Sequence, residues 1–358
     1  MRVSWIIFIL LILVIFLLFY LGLYKYFLTD DSSSLTLENT IHIAKSHKEA
    51  TIIVLGDSTA SVELRPNLFN SIIKDGKIIN LGMPGSWFYS HNLIQSLVKN
   101  NNKKVDSVIL VLGPDEFINE GNMRVNSDLQ YHKTSISIFD AYPLLFYSDS
   151  LDYLKDNLIS LIFKPILFKE DLKDAIINPL KRLSVVKRDI IWLSRKINTT
   201  DTLWEDDRIF NVCNLGPLNM IEKNLQIAKS ENDSTASAMY SMNFAAYSGR
   251  KKQKAINKYI NKNLFYLIKN LSKNFKTVYV LNAPIYEGFQ EIYPNSYLNK
   301  VSAITKEITN QFANIKYIEI DRAIKSDCSN FMDVVHLNTK GGKIFTKYIA
   351  DYLNKPTK

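Results

Sequence analysis

Hydrophobic residues along this chain are grouped into short runs that alternate with longer amphipathic stretches. Five runs are rich in aliphatic and β-branched residues and are bounded by glycine or polar residues: 51–55, 77–81, 105–112, 277–281 and 315–320. Runs of this length and composition are typical of strands that are buried on both faces, as in a parallel sheet. The pattern therefore predicts a sheet of five strands.

The amphipathic stretches predict helices that alternate with these strands. Helices are predicted at 35–48, 86–99, 297–312 and 339–353. The third of them is the clearest, because Tyr297, Val301, Ile304 and Ile308 recur on one helical face. Alternating strands and helices predict an α/β fold in which helices cover a central, mostly parallel five-stranded sheet.

Between residues 119 and 276 the strand pattern is replaced by helical stretches. They fall at 151–163, 180–197, 217–229 and 254–271. We interpret the segment at about 120–275 as one helical insertion between the third and fourth strands. A structural lid or cap is the simplest role for it, and the sequence leaves that role open.

The amino-terminal segment from Trp5 to Tyr24 is uncharged and almost wholly apolar. Twenty helical residues span about 30 Å, the thickness of the hydrocarbon core of a bilayer. The run exceeds the roughly 7–15 apolar residues of a cleaved signal peptide, and no Ala-x-Ala-like site follows. We therefore predict a signal anchor within 1–28, a linker and leading helix at 29–48, and a main domain at 49–358.

The orientation of this anchor follows from the charges that flank it. Arg2 and the short amino-terminal tail favour a cytoplasmic amino terminus, whereas Lys25 opposes this weakly. The main domain is therefore expected outside the cytoplasm, on the periplasmic or cell-surface side.

The charge balance of the chain is basic, with 44 Lys+Arg against 35 Asp+Glu and a formal net charge of +9. Lysines are spread along the chain, and no zinc-finger, RNA-recognition or helix-turn-helix signature is present, so nucleic acid is not an expected partner. A solvated basic surface is the simplest explanation. Attraction to anionic lipid headgroups or to an acidic polymer is the alternative.

The two cysteines, Cys213 and Cys328, are far apart in sequence and lie outside any Cys-x-x-Cys motif. Metal binding and thioredoxin-like chemistry are therefore not expected. A disulfide between them would suit a domain outside the cytoplasm. Two separate free thiols are equally compatible with the sequence, so the pairing stays open.

Two short motifs carry the candidate chemistry. The first is Gly56-Asp57-Ser58, directly after the first strand, and the second contains Asp333 and His336 in a polar loop before the last helix. A serine, a histidine and a carboxylate are the parts of an activated nucleophile. Loops at the carboxyl ends of parallel strands build ligand sites, and Ser58 lies in such a loop.

Simpler roles exist for the same residues. Ser58 could be no more than a helix N-cap, which serine does well. His336 could lie in a capping loop that contains a chance Asp-x-x-His. His91, on the predicted helix after Gly82, is expected to be packed or at the surface and not to be catalytic.

The motifs resemble those of the SGNH/GDSL hydrolase superfamily. The first block of that family matches residues 56–58, the second matches 80–82, and the last matches Asp333 and His336. The resemblance implies a flavodoxin-like three-layer sandwich. It also implies that Ser58 is the nucleophile, that His336 is the base oriented by Asp333, and that the N–H groups of Ser58 and Gly82 form an oxyanion hole.

The third block departs from the family pattern. Gly113-Pro114-Asp115-Glu116 stands where Gly-x-Asn-Asp is expected, so Asp115 takes the place of an amide donor of the oxyanion hole. An ionised carboxylate would repel a developing oxyanion. Asp115 could be protonated, another donor could substitute, or the site could be weak or inactive. Asp115 is kept as a candidate member of the hole.

The resemblance also indicates a substrate class, because membrane-tethered bacterial members of the superfamily often add or remove acyl groups on cell-surface polymers. We therefore expect O-acetyl transfer or deacetylation on a polysaccharide or cell-wall glycan. The expected partners are an acylated glycan or acyl donor, the membrane, and other proteins of such a pathway. No metal constellation or nucleotide loop is present, so no cofactor is expected.

Two alternative functions remain at this point. One is a small-ester or lipid hydrolase that uses the same triad. The other is a non-catalytic polysaccharide assembly or binding protein that keeps the fold, and the departure at Asp115 is its main support.

Overall fold

A computed structural model describes residues 32–117, 212–214, 218–231, 260–289, 292–333 and 335–355, with short helical pieces within 5–14 and 173–184. The chain divides into two compact units. One comprises residues 1–39 and 129–198, and the other comprises 40–128 and 199–358. The second unit contains every residue that the sequence predicts for the site.

Within the part of the chain that the structure describes, no helix combines the length and the apolar character needed to cross a bilayer. Most of the anchor predicted within 1–28 lies outside the described residues, so the anchor stays a prediction. The helix predicted at 151–163 and most of the one at 180–197 also lie outside them.

The second unit is built on a five-stranded sheet with the order β2-β1-β3-β4-β5, in which every pairing is parallel. The strands are β1 (Ile52–Gly56), β2 (Ile78–Asn80), β3 (Ser107–Leu112), β4 (Thr277–Asn282) and β5 (Ile315–Tyr317). The predicted parallel α/β sheet is confirmed. Each of the five hydrophobic runs contains a strand, although β3 begins later and β5 ends earlier than predicted.

Besides the short helical pieces, the described residues form nine α-helices. They are α1 (Ser32–Ser46), α2 (Ser58–Glu63), α3 (Pro66–Ile72), α4 (Phe88–Asn101), α5 (Leu218–Ser230), α6 (Ile260–Asn274), α7 (Asn295–Thr309), α8 (Arg322–Ser326) and α9 (Thr339–Leu353). Of these, α4, α7 and α9 lie where the sequence predicted helices between or after the strands. Helix α6 packs against α4 and α7, whereas α9 packs against α2 and α3. Because the side chains of β1 are buried along its whole length, both faces of the sheet are covered there.

The strand order brings the candidate chemistry together. Gly56, at the end of β1, is the register partner of Val111 near the end of β3, and β2 pairs with β1 on its other side. The loops after β1, β2 and β3 therefore all leave the sheet at the carboxyl end of the strands. These loops begin with Asp57, Leu81 and Gly113, so the three blocks that resemble the family meet where parallel sheets build their ligand sites.

Candidate active site

The turn that presents Ser58 depends on Gly56. Its φ of +149° is a backbone conformation that residues with a side chain rarely adopt. A Cβ at this position would lie 2.4 Å from the carbonyl oxygen of Val111 and 2.6 Å from the Cβ of Ala60. Glycine is therefore required for β1 to turn directly into α2 while β1 stays paired with β3.

Asp57, and not Ser58, caps α2. Its Oδ1 accepts hydrogen bonds from the backbone N–H of Thr59 at 2.9 Å and from the Thr59 hydroxyl at 2.7 Å. The simple N-cap role considered for Ser58 is therefore wrong. Ser58 is the first residue of α2, is half-buried, and has its hydroxyl directed to another group.

That group is the imidazole of His336. The distance from His336 Nε2 to Ser58 Oγ is 2.8 Å, and the distance from His336 Nδ1 to Asp333 Oδ2 is 2.7 Å. An Nδ1–H that donates to Asp333 leaves Nε2 as the acceptor for the serine hydroxyl. The structure thus brings together the three residues that the sequence predicted as a triad.

The Asp333 carboxylate is fixed from its other side by the backbone. Its Oδ1 accepts hydrogen bonds from the N–H groups of Val335 and His336, both at 2.8 Å. Burial raises the pKa of Asp333, but the positive charge available on His336 and these hydrogen bonds outweigh burial and hold the pKa below its usual range. Asp333 is therefore a carboxylate at neutral pH and stabilises a positive imidazolium.

The loop that carries Asp333 and His336 is closed at its base. Phe331 and Leu337 form an antiparallel bridge, and the Met332 N–H donates to the His336 carbonyl at 3.0 Å. The next helix, α9, is capped separately by Asn338, whose Oδ1 accepts from the Gly341 N–H at 3.0 Å. The capping role proposed as an alternative for this loop therefore belongs to Asn338.

Gly82 lies against the helix of Ser58, where a Cβ would come within 2.6 Å of the Ser61 nitrogen. Its N–H donates to Asn80 Oδ1 at 2.9 Å, while Asn80 Nδ2 donates to the carbonyls of Ala60 and Leu64. Asn80 therefore holds the end of β2 to α2. The Gly82 N–H must be shared with an oxyanion, or released by Asn80, to act in the hole.

Asp115 belongs to a short 3₁₀ turn, Pro114–Phe117, that is held by two tyrosines. The Tyr293 hydroxyl donates to Asp115 Oδ1, and the Tyr297 hydroxyl donates to the Pro114 carbonyl at 2.8 Å. These contacts are long-range, and no local signal in the sequence pointed to either tyrosine. The place of Asp115 in an oxyanion hole stays a prediction.

His91 is packed, as the sequence suggested. Its Nε2 lies 3.1 Å from Glu116 Oε1, and both side chains are buried. The Trp87 indole N–H also donates to the Glu116 carbonyl at 3.3 Å. His91 therefore connects α4 to the turn after β3 and is not a member of the triad.

Cys213 and Cys328 form a disulfide, which answers the pairing question that the sequence left open. The neighbouring Val212 N–H also donates to the Phe331 carbonyl at 3.2 Å. Phe331 is the residue at which the loop of Asp333 and His336 is closed. The disulfide thus ties a described part of the insertion to the base of the candidate catalytic loop.

Two cavities lie at opposite ends of the strands. One lies at the carboxyl ends of β4 and β5 and is lined in part by Pro114, Asn282 and Tyr317. Its volume of about 180 Å³ is smaller than the roughly 300–1,000 Å³ of typical ligand pockets. A larger cavity of about 570 Å³ lies at the amino end of the strands, near Thr51. Its lysines lie in the last turns of α4 and α6 or directly after them, where positive charge offsets the helix dipole.

Among the described residues, no group of histidine, cysteine and carboxylate side chains could hold a metal ion. No model of a known protein family matches the chain, and no curated protein matches it either. The family resemblance consequently depends on the short motifs and their spatial arrangement alone.

Proposed function

We propose that this protein is an SGNH-type serine enzyme that transfers or removes acyl groups, with O-acetyl esters of a cell-surface polysaccharide or cell-wall glycan as its substrates. The observation that carries the proposal is the chain of hydrogen bonds from Ser58 through His336 to Asp333, at 2.8 Å and 2.7 Å. A hydroxyl placed against a histidine that is oriented by a carboxylate is an activated nucleophile.

The reaction follows from this geometry. Ser58 Oγ attacks the acyl carbonyl carbon while its proton passes to His336 Nε2. The tetrahedral intermediate then expels the alcohol, which takes the proton from His336, and the acyl group stays on Ser58. Water or a sugar hydroxyl next attacks the acyl-enzyme with His336 as the base, which regenerates Ser58 and releases either the free acid or a new ester.

Negative charge on the carbonyl oxygen needs hydrogen-bond donors. The backbone N–H groups of Ser58 and Gly82 are the proposed donors, by resemblance to the family. A side-chain amide at position 115 would be the third, and this chain has an aspartate there. Losing one such donor costs on the order of 10²–10³ in rate, which leaves a slower but working enzyme.

Two features support the proposed location and substrate. The Cys213–Cys328 disulfide suits an oxidising compartment outside the cytoplasm, in agreement with the anchor predicted within 1–28. The formal charge of +9 suits an acidic polymer. We propose a single-pass membrane protein with its main domain outside the cytoplasm, working with other proteins of a polysaccharide or cell-wall pathway.

The two alternatives differ from this proposal in different ways. A small-ester or lipid hydrolase would use the same triad and would differ in its substrate, a small ester or a lipid in place of an acylated glycan. A non-catalytic binding protein has no need of a serine within hydrogen-bond distance of a histidine. The triad geometry therefore favours an enzyme over a binding protein.

The test is active-site labelling of the full chain in detergent with a fluorophosphonate probe, together with turnover of p-nitrophenyl acetate. We expect Ser58→Ala to abolish both, and Ser71→Ala, which changes an exposed serine of α3, to preserve both. Labelling without turnover would indicate a transferase that requires its own acceptor. A folded protein that neither labels nor turns over would overturn the proposal.

A further inference from the structure

Glu63 is a buried carboxyl group that the proposed reaction does not use. It is the last residue of α2, the helix that begins with Ser58, and its side chain is completely buried. Its Oε1 accepts a hydrogen bond from the Leu337 N–H at 3.4 Å, and Leu337 directly follows His336. Glu63 thus connects the helix of the nucleophile to the backbone of the base.

The second oxygen of this carboxyl group, Oε2, is buried and has no hydrogen-bond partner among the residues that the structure describes. Burying a polar atom without a partner is unfavourable, and an apolar side chain of similar volume would stabilise the fold better. Residues that lower the stability of the fold in this way are found at functional sites, where activity requires a residue that stability alone would not favour.

The charged groups around Glu63 are mostly acidic. Asp57 lies at the start of the same helix and Asp333 lies in the loop of His336, and both act on the Glu63 carboxyl. Arg65 follows two residues later, where its guanidinium lies near Gly342 of α9. Burial is the largest effect and raises the pKa of Glu63 well above its usual range, the Leu337 N–H lowers it, and the two aspartates raise it further.

We propose that Glu63 is a positioning residue, which holds the loop of His336 at the correct distance from Ser58 through the Leu337 N–H. The proposal rests on the proposed function, because it assigns Glu63 a part in the same acyl-transfer reaction. In this arrangement Glu63 works as a neutral carboxylic acid. Burial and the two aspartates disfavour its ionised form, which would place a third negative charge beside Asp57 and Asp333 and would push the loop away.

Two substitutions separate positioning from simple packing. Glu63→Gln keeps the oxygen that accepts from Leu337 and stays neutral at every pH. Glu63→Met keeps the volume but removes the acceptor. Glu116→Gln is the matched control, because Glu116 is the other completely buried glutamate among the described residues and its carboxyl contacts His91.

The readouts are the rate of fluorophosphonate labelling of the full chain from about pH 6 to about pH 10, and the melting temperature. We expect Glu63→Gln to label within about threefold of the wild type at neutral pH, and to show no loss of rate from ionisation at this position as the pH rises. Glu63→Met should lose about tenfold in labelling rate with little change in melting temperature, because it leaves the Leu337 N–H unpaired but also removes the unpaired Oε2. Glu116→Gln should leave the shape of the pH profile unchanged.

The proposal is wrong if Glu63→Met labels like the wild type, or if its loss of labelling follows a loss of stability. The imidazole NMR signals of His336 give a readout that needs no activity, and we expect Glu63→Met to shift them and Glu116→Gln to leave them in place. If the wild type fails to label but Glu63→Met still shifts these signals, the proposed function is wrong and the positioning role stands. If the signals do not move, the positioning role is wrong.

Discussion

The imidazole of His336 lies 2.8 Å from the hydroxyl of Ser58, although 278 residues separate them in sequence. Ser58 follows the carboxyl end of β1, which pairs with β3 in the centre of the sheet. Ser58 begins α2, His336 precedes α9, and these two helices pack against each other, which brings the two residues together. Their contact therefore depends on the whole fold. Whether His336 can accept the proton of Ser58 depends on Asp333, the third residue of the triad.

Asp333→Asn should reduce turnover and labelling by about 10⁴-fold while leaving the fold intact. An amide in place of the carboxylate can donate to Nδ1, which would put the imidazole proton on Nε2 and leave no acceptor for the Ser58 hydroxyl. The measurement is the labelling rate at neutral pH beside the melting temperature. Asp321→Asn, which changes the exposed N-cap of α8, is the control that should keep the wild-type rate.

Gly56→Ala should destabilise the protein by about 1–3 kcal/mol and also slow labelling, because a Cβ would force β1 and the start of α2 apart. Gly76→Ala is a matched control. Gly76 also has a positive φ, of +103°, but a Cβ there would meet the end of the Thr51 side chain, before β1 begins. We expect both variants to melt earlier and only Gly56→Ala to label more slowly.

The strands could be predicted from sequence because β1 and β3 are runs rich in aliphatic and β-branched residues that are buried on both faces, so that local composition and tertiary environment agree. Helix α3 was missed, although Pro66 at its first turn is a recognised start signal. Seven residues between two loops gave too short a periodic pattern to detect.

The site was predictable to the extent that it is encoded in local motifs. Ser58, Asp333 and His336 were identified because each follows a strand or precedes a helix in a short recognisable segment. Glu63 and Tyr293 were not identified, because their partners are far away in sequence: Glu63 contacts Leu337, and Tyr293 contacts Asp115. Neither side chain carries a local signal in the sequence, because only the fold determines which residue faces it.

Reduction of the disulfide should lower the melting temperature and slow labelling together. Cys213 and Cys328 are separated by 115 residues, and a cross-link over a loop of this size contributes about 2–4 kcal/mol to stability. Labelling should also fall, because the 3₁₀ turn containing Cys328 (Cys328–Asn330) leads into the loop of Asp333. The measurement is thermal unfolding and labelling with and without a thiol reductant.

The control for this prediction is a double variant, Cys213→Ser with Cys328→Ser, which should already show the lower melting temperature and should not respond to the reductant. An unchanged melting temperature of the wild type in reductant would show that the cross-link contributes nothing measurable to the fold.

Asp327 should stabilise the protein at neutral pH and lose this effect in acid. Hydrogen bonds from the Ser329 hydroxyl, the Lys340 ammonium and the Ser329 N–H lower the pKa of Asp327 from 3.8 to about 2. A lowered pKa means that the carboxylate is favoured in the folded state, so the stabilisation is complete above pH 3.8 and is lost as the pH falls through about 2.

Asp327→Asn should therefore melt earlier than the wild type at neutral pH, and the difference should shrink between pH 3.8 and about 2. Because the pair with Lys340 is exposed, the effect should be small and should weaken further in high salt. Melting temperatures across this pH range measure it. A difference that stays constant with pH would mean that ionisation of Asp327 does not contribute.

Asp115→Asn should raise turnover, because it supplies the amide that the SGNH/GDSL superfamily, which the motifs resemble, carries at this place. The Asn oxygen can still accept from the Tyr293 hydroxyl, which holds the turn in position, while its NH₂ group becomes a donor to the oxyanion. Removing one such donor from other enzymes costs on the order of 10²–10³ in rate, so regaining part of this should give at least about a tenfold increase in kcat. Tyr293→Phe in the Asp115→Asn background should reduce the gain, since the side chain at position 115 would lose the hydrogen bond that orients it. A rate that stays at the wild-type level would place Asp115 outside the oxyanion hole, and would leave Ser58 and Gly82 as its donors.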